Sequence, residues 1–486
     1  MVKFNGPIVQ WALLVLTSVL MGTCLLVAVA FFRRWQQIRY VRYVHSLQRR
    51  YRPIVAELLS GTRGQSGIDA LRDLPLAEVE LLLDPLFSRR KLPERCLVFL
   101  QVICSELGLI DLWHGRLSKE RGIWSTSSGG GYAQEISDRA VMRSLLRAKS
   151  IRNLGKLRHQ PSWPLLVSAL DDRHVDIQEV ALRSLAALGA PESFPALCNR
   201  LHTAAQSKSP APPLQGLQAA MVDFSLACVP ALLPSLRHPD FRVRMRATEI
   251  LKTMICRQAA RQPGFTLRSE VLTVPMVELL LTGLAVDTSA EIRARMAEVL
   301  VFLPDPRVQP VLCALLRDRQ WFVRLRSVRA VAQLRHAATP LFIDIRDRLN
   351  DPHWRVREAA TQTLLSLGQK GRLQLYEYFL ISMDPEIRKQ IVEVIERTGL
   401  MSVLVEEYGQ GAIGMNALVV EQLASEAAPL GLSGVLRTLR PDIRQRFLDR
   451  FLPYAEAKMR FLEEKTEEEK ARSLQQALEF PPHLAA

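Results

Sequence analysis

The chain has 486 residues, of which 48% are hydrophobic, with 64 Lys and Arg against 49 Asp and Glu and a formal net charge of +15. That apolar content argues against intrinsic disorder, and seven scattered cysteines without a C-x-x-C pair argue against a disulfide framework or a zinc site. Residues 1–52 hold eight basic and no acidic side chains, leaving 56 basic against 49 acidic elsewhere, so most of the excess speaks for a membrane flank and not for nucleic acid.

The first element is an uncharged run from Ile8 to Phe32. As a helix it is about 37 Å long at about 1.5 Å per residue, enough to cross a hydrocarbon core of about 30 Å. Arg33, Arg34, Arg39, Arg42, Arg49, Arg50 and Arg52 follow with no acidic residue before Glu57, whereas only Lys3 precedes the run. The positive-inside rule then places the short N-terminus outside and everything after Arg33 in the cytoplasm. Arg33, Arg34, Trp35, Arg39 and Arg42 are the expected membrane-interface residues, with anionic lipid head groups as a further expected contact. Ala28-Val29-Ala30 offers a competing reading as a signal-peptide cleavage site, but the run exceeds an h-region of about 7 to 15 residues and has no basic n-region. A single compact anchor without eukaryotic sorting signals points to the bacterial inner membrane.

Beyond this span (8–32) the pattern is helical throughout. A basic juxtamembrane helix is expected over 33–52 and a helical linker region over 53–117, containing "LAEVELLLDPLF" and "RCLVFLQVICSELGLIDLW". Residues 118–137, with three consecutive glycines, are expected to be a flexible Gly/Ser loop. A repeat array then occupies 138–400, and 401–480 continues the helical pattern into a charged amphipathic helix from Tyr454 that caps it.

The repeats are legible from one dipeptide. Ile292-Arg293, Val323-Arg324, Val356-Arg357 and Ile387-Arg388 lie 31, 33 and 31 residues apart, with earlier copies at Val243-Arg244 and Ile177-Gln178 and a degenerate unit near Leu214 to Phe224. Each unit has the pattern of two helices joined by a polar turn and completes its core only by stacking on its neighbours. An aspartate stands six residues before the arginine in Asp287 and Arg293, Asp318 and Arg324, and Asp351 and Arg357. These features resemble the HEAT-repeat family, in particular its short, PBS-lyase-like variety. The resemblance implies an all-α solenoid with an inter-repeat Asp/Arg ladder through those six residues. It also implies lapses where His238 precedes Arg244, where Asp172 precedes Gln178, and where Asp384 lies only four before Arg388.

No catalytic signature is present: H-E-x-x-H, G-x-S-x-G and the P-loop are all missing, and "GTRGQSG" at Gly61 lacks the phosphate-binding lysine. The nine histidines fall singly, so no metal and no cofactor is expected. Trp321 and Trp354 share a register two before the valine; as a pair they suggest either a pocket for a flipped base or hydrophobic plugs at the turns, the latter supported by Phe241. Three residues after the Ile or Val come Arg246, Arg295 and Arg326, with Arg329 three further on beside Glu249 and Glu298 of the other units. This ridge is the candidate partner-binding surface, for an acidic or phosphorylated segment. The expected function is a non-enzymatic, membrane-anchored scaffold that binds protein partners and no nucleic acid. A HEAT-like lyase or modifying enzyme is the alternative, and a nucleic-acid binder the third reading.

Overall fold

A computed structural model describes residues 7–62, 64–88, 93–118, 133–207, 213–267, 273–411, 413–425, 435–437 and 439–463. The described elements are all helical, with no strand among the described residues. Most of the glycine-rich stretch, 119–132, and the tail after 463 lie outside the described residues. The chain divides into two compact units, Met1–Leu197 with Ser209–Asp223, and Cys198–Lys208 with Phe224–Ala486.

The first unit opens with α1 (Pro7–Ser60), 54 residues without a break. The expected anchor (8–32), the juxtamembrane helix (33–52) and the start of the linker region (53–60) are therefore continuous in one helix. Pro53 lies inside α1 and removes one N–H donor, but both Pro53 and Arg49 are exposed, so the freed Arg49 carbonyl faces water. Its apolar window is 0% buried and has a mean hydropathy of 2.4. From Val44 onward one stripe changes character: Leu47, Val55 and Leu58 are buried and Val44 and Tyr51 half-buried, spaced three and four apart. That stripe packs on α2 (Gln65–Arg72), α3 (Leu76–Phe87) and α4 (Glu94–Glu106). Tyr43 on the exposed side donates its hydroxyl to Glu78 of α3.

Next come α5 (Leu109–Ser118), α6 (Ala133–Leu157), α7 (Trp163–Ser168) and α8 (Val175–Leu188). Helix α6 begins inside the stretch expected to be loop and packs on both α5 and α8. Glu80 is 3% exposed and ties these helices together: Trp113 donates its indole N–H at 3.0 Å and Arg116 donates at 3.0 and 3.1 Å. Lys149 of α6 pairs with the neighbouring Asp84 at 2.7 Å. A buried carboxylate is tolerable there because cations and N–H donors replace the water it loses. Helix α9 (Phe194–Gln206) runs across the division, and α10 (Leu214–Val222) supplies the helix expected near Leu214.

In the second unit the repeats form two layers. One contains α12 (Phe241–Arg261), preceded by the short α11 (Leu233–Leu236). It continues, after α13 (Val274–Glu278), with α14 (Ala290–Leu300) and, after α15 (Val308–Leu316), with α16 (Trp321–Val331). After α17 (Phe342–Asp347) comes α18 (Trp354–Ser366), and after α19 (Gln369–Ile381) comes α20 (Pro385–Arg397). Each of α12, α14, α16, α18 and α20 packs on the next, while α15, α17 and α19 form the second layer. The residue of the diagnostic dipeptide is buried every time, at Val243, Ile292, Val323, Val356 and Ile387. Each such side chain contributes roughly 1.5–3 kcal/mol on leaving water.

The unit ends in α21 (Leu400–Gly409), α22 (Met415–Ser425) and α23 (Pro441–Glu463). Helix α23 starts thirteen residues before Tyr454, where the amphipathic helix was expected, and its Ile443, Phe447 and Phe451 are buried. Helices α21 and α23 pack together, with Gly409 lying against the α23 backbone.

Candidate functional site

The candidate surfaces rest on the ends of α12, α14, α16 and α18, so their geometry starts with how each turn feeds the helix after it. Asp287, Asp318 and Asp351 each accept the backbone N–H two residues on, at 2.8, 2.9 and 3.0 Å, which folds the polar turn and opens the helix. The same carboxylates receive an arginine from the preceding repeat. Arg244 reaches Asp287 at 2.8 and 3.2 Å, Arg293 reaches Asp318 at 2.7 and 3.0 Å, and Arg324 reaches Asp351 at 2.6 and 2.7 Å. The third guanidinium nitrogen turns back to a carbonyl six residues upstream, that of His238, Asp287 or Asp318.

This corrects the expected lapses. The six-residue spacing serves a backbone carbonyl, which any residue supplies, so His238 does not interrupt the row and Arg244 is a full rung. Gln178 makes the same backward bond to the Asp172 carbonyl at 2.6 Å, and the Asp172 side chain takes Arg147 of α6 at 2.7 Å. At the other end Arg357 bonds back to the Asp351 carbonyl at 3.0 Å, but forward it meets Gln390 at 2.9 Å and no aspartate. Asp384 instead caps α20 through the N–H of Glu386.

Burial raises the carboxyl pKa of Asp318 and Asp351, but their bonds from arginine and from backbone N–H groups outweigh it and hold both below the usual value. Hydrogen bonds to the aspartates push Arg293 and Arg324 up against the opposing effect of burial. These groups act as a structural clamp between repeats.

The ridge is not the bare basic row that spacing suggested. Arg295 is taken up by Glu249 of the preceding repeat and by Glu291 at 2.9 Å, and Arg326 by Glu298. Lys252 joins Glu249 at 3.0 Å to Glu298 at 3.4 Å. Desolvation raises Glu249, but its bonds from Arg295 and Lys252 reverse that and lower it overall. The stacking offset brings the position three after the dipeptide's first residue against the position six after it in the preceding repeat, so the row neutralises itself. The next pair would be Ala359 with Arg329, and alanine offers no charge. Arg329 is exposed and Arg246 half-exposed, and neither has an ion-pair partner among the described residues.

Trp354 and Phe241 do not plug the turns, whereas Trp321 is half-buried. Trp354 is 53% exposed and Phe241 51%. His353 fills the place between the indoles, stacked on Trp321 with ring centroids 3.9 Å apart and planes 5° apart, so no base can enter between them. Arg355 lies over both indoles, 5.9 Å from Trp321 and 5.3 Å from Trp354.

Two pairs of histidines that look isolated in sequence meet in the fold, each beside a serine. His114 and His159 share the buried Ser162 hydroxyl at 2.7 Å, and His202 contacts Ser235 at 2.9 Å with the His238 ring 4.9 Å away. Burial first, and the second histidine next, lower the pKa of His159 and His202. No group of three or more metal-ligating side chains occurs among the described residues. Arg33, Arg34, Trp35, Arg39 and Arg42 are exposed on α1, with Arg39 stacked 4.7 Å over Trp35.

A half-buried arginine–aspartate row that ties each helix pair to the next defines a helical-repeat solenoid. It contains HEAT repeats: the HEAT-repeat profile matches residues 277–364, and the PBS lyase HEAT-like repeat profile matches 177–203. No curated protein sequence matches the chain. Among solved structures it is similar to the Pds5–Scc1 complex, at 13% identity over 88% of this chain and 76% of that one with a TM-score of 0.34. It is also similar to Kap121p, at 11% over 89% and 56% with a TM-score of 0.36. A third similarity is to the CpcE–CpcF phycocyanin lyase complex of Nostoc, at 15% over 57% and 97% with a TM-score of 0.23. HEAT repeats generally mediate protein binding.

Proposed function

We propose that this protein is a single-pass membrane protein whose HEAT array is a non-enzymatic scaffold on the cytoplasmic side, in the bacterial inner membrane. The observation that carries this reading is α1: an unburied apolar stretch that runs without a break into a helix packed on α2, α3 and α4. An anchor fused in this way holds the repeats at the bilayer and raises the local concentration of whatever binds them. The arginine-rich flank after Phe32 supports the orientation. The scaffold role is supported by the repeat type and by charged rows that are spent on holding repeats together, which leaves the outer surface for protein partners. Of the ridge, only Arg246 and Arg329 remain available to them.

The test is crosslinking in intact cells followed by pull-down from solubilised membranes, comparing wild type with Arg246→Glu/Arg329→Glu. The account expects membrane-associated partners in the wild type and fewer of them in the variant. Recovery of none by the wild type contradicts the scaffold reading.

A further inference from the structure

Helix α1 carries a second stripe, on the side away from its packed one. Arg42, His45, Arg49 and Arg52 are spaced three, four and three apart and are all exposed. At about 100° per residue they centre about 140° round the helix from Val44, Leu47, Tyr51, Val55 and Leu58, which face α2, α3 and α4. None of the four has an ion-pair partner among the described residues, whereas Arg116 and Arg147 in the packed part of this unit are matched by Glu80 and Asp172.

Height decides what this stripe can reach, an argument that rests on α1 crossing the membrane as proposed above. Arg42 lies about 15 Å and Arg52 about 30 Å beyond Phe32 along an unbroken helix. The head-group layer adds only about 5 to 8 Å on each side of the hydrocarbon, and charges are screened beyond about 8 Å at physiological salt. Arg42 sits at the edge of that reach and also serves the lipid interface, whereas His45, Arg49 and Arg52, about 20 to 30 Å beyond Phe32, stand clear of it. A tether at the bilayer keeps the stripe away from nucleic acid. A row one helix wide, with a 3-4-3 spacing, matches carboxylates presented at the same spacing by another helix, where guanidinium and carboxylate groups pair through parallel hydrogen bonds.

We infer that the Arg42–His45–Arg49–Arg52 stripe of α1 is a docking surface for an acidic helical segment of a partner protein. The test uses the full chain in phosphatidylcholine nanodiscs and, in parallel, in detergent micelles, titrated with two fluorescent helical peptides of identical composition. One carries its glutamates at 3-4-3 spacing on a single face; the other has them distributed round the helix. The patterned peptide is expected to bind at least tenfold more tightly, with affinity falling as salt rises. Arg42→Glu/Arg49→Glu/Arg52→Glu abolishes that preference, whereas Arg33→Gln/Arg34→Gln retains it. The replaced side chains are exposed, so circular dichroism of the triple variant is expected to match the wild type. Equal binding of the two peptides overturns the inference. So does a triple variant that keeps its peptide affinity and loses binding to phosphatidylglycerol vesicles, which assigns the stripe to lipid. Failure to enter nanodiscs counts against the anchor alone, since the micelle titration still tests the stripe.

Discussion

Arg324 of α16 and Asp351, in the turn before α18, belong to successive repeats and meet through two parallel hydrogen bonds of 2.6 and 2.7 Å, with the aspartate side chain fully buried. Removing one partner strands the other charge, which is costlier than the pair is stabilising. Asp351→Ala is therefore expected to destabilise the second unit by about 3 kcal/mol in denaturant melts. Arg324→Ala/Asp351→Ala is expected to cost less than the sum of the two single changes. Strict additivity would mean that the bonds carry no coupling.

The same carboxylates set an acid limit. Asp318, Asp351 and Glu249 have folded pKa values below their ordinary ones, so the unfolded chain binds protons first as pH falls. Their stabilisation is complete above the unfolded carboxyl range of about 4 to 4.5 and is lost on titrating down through the lower folded values. His159 and His202 are also lowered from 6.5, so a first decline sets in as pH drops through that value. A Tm profile from pH 8 to 3 is expected to show two descending steps. Replacing His159 and His202 by Gln should flatten the upper one and leave the lower.

Gly371 lies where α19 meets α18: a Cβ there would fall inside contact distance of the Leu364 carbonyl, which is backbone and cannot swing away. Gly371→Ala, although a better helix former, is expected to lower stability by about 1–3 kcal/mol through overpacking. An unchanged or raised Tm would show that the two helices separate without cost.

Neighbouring positions in one turn of α18 should behave oppositely. Val356 is fully buried and Trp354 is 53% exposed. Val356→Ala is expected to cost about 2 kcal/mol and Trp354→Ala under about 1 kcal/mol, despite the larger side chain removed from the latter. Chemical denaturation of the two variants compares them directly.

Much of this was legible in sequence because burial is periodic. Val243, Ile292, Val323, Val356 and Ile387 repeat with a helical register, and the arginine after each marks the row. What spacing along one chain does not contain is the offset between stacked helices. The match of Arg295 with Glu249, 46 residues apart, depends on that offset, and it leaves the expected basic ridge half paired. The meeting of His202 with His238 depends on how an earlier helix approaches a later turn. The continuity of α1 was hidden by composition: its apolar, basic and amphipathic thirds look like three segments, yet nothing in them ends a helix except Pro53, which solvent accommodates.

Sidedness is the most direct test of the central claim. Right-side-out inner-membrane vesicles containing the chain are treated with protease, before and after permeabilisation, and probed with antibody against the repeat region, while a separate sample is washed with carbonate and pelleted. The account predicts that the protein stays with the membrane pellet and that a fragment spanning residues 60–486 survives until the vesicles are opened. Release into the wash, or digestion of the repeats in sealed vesicles, would contradict it.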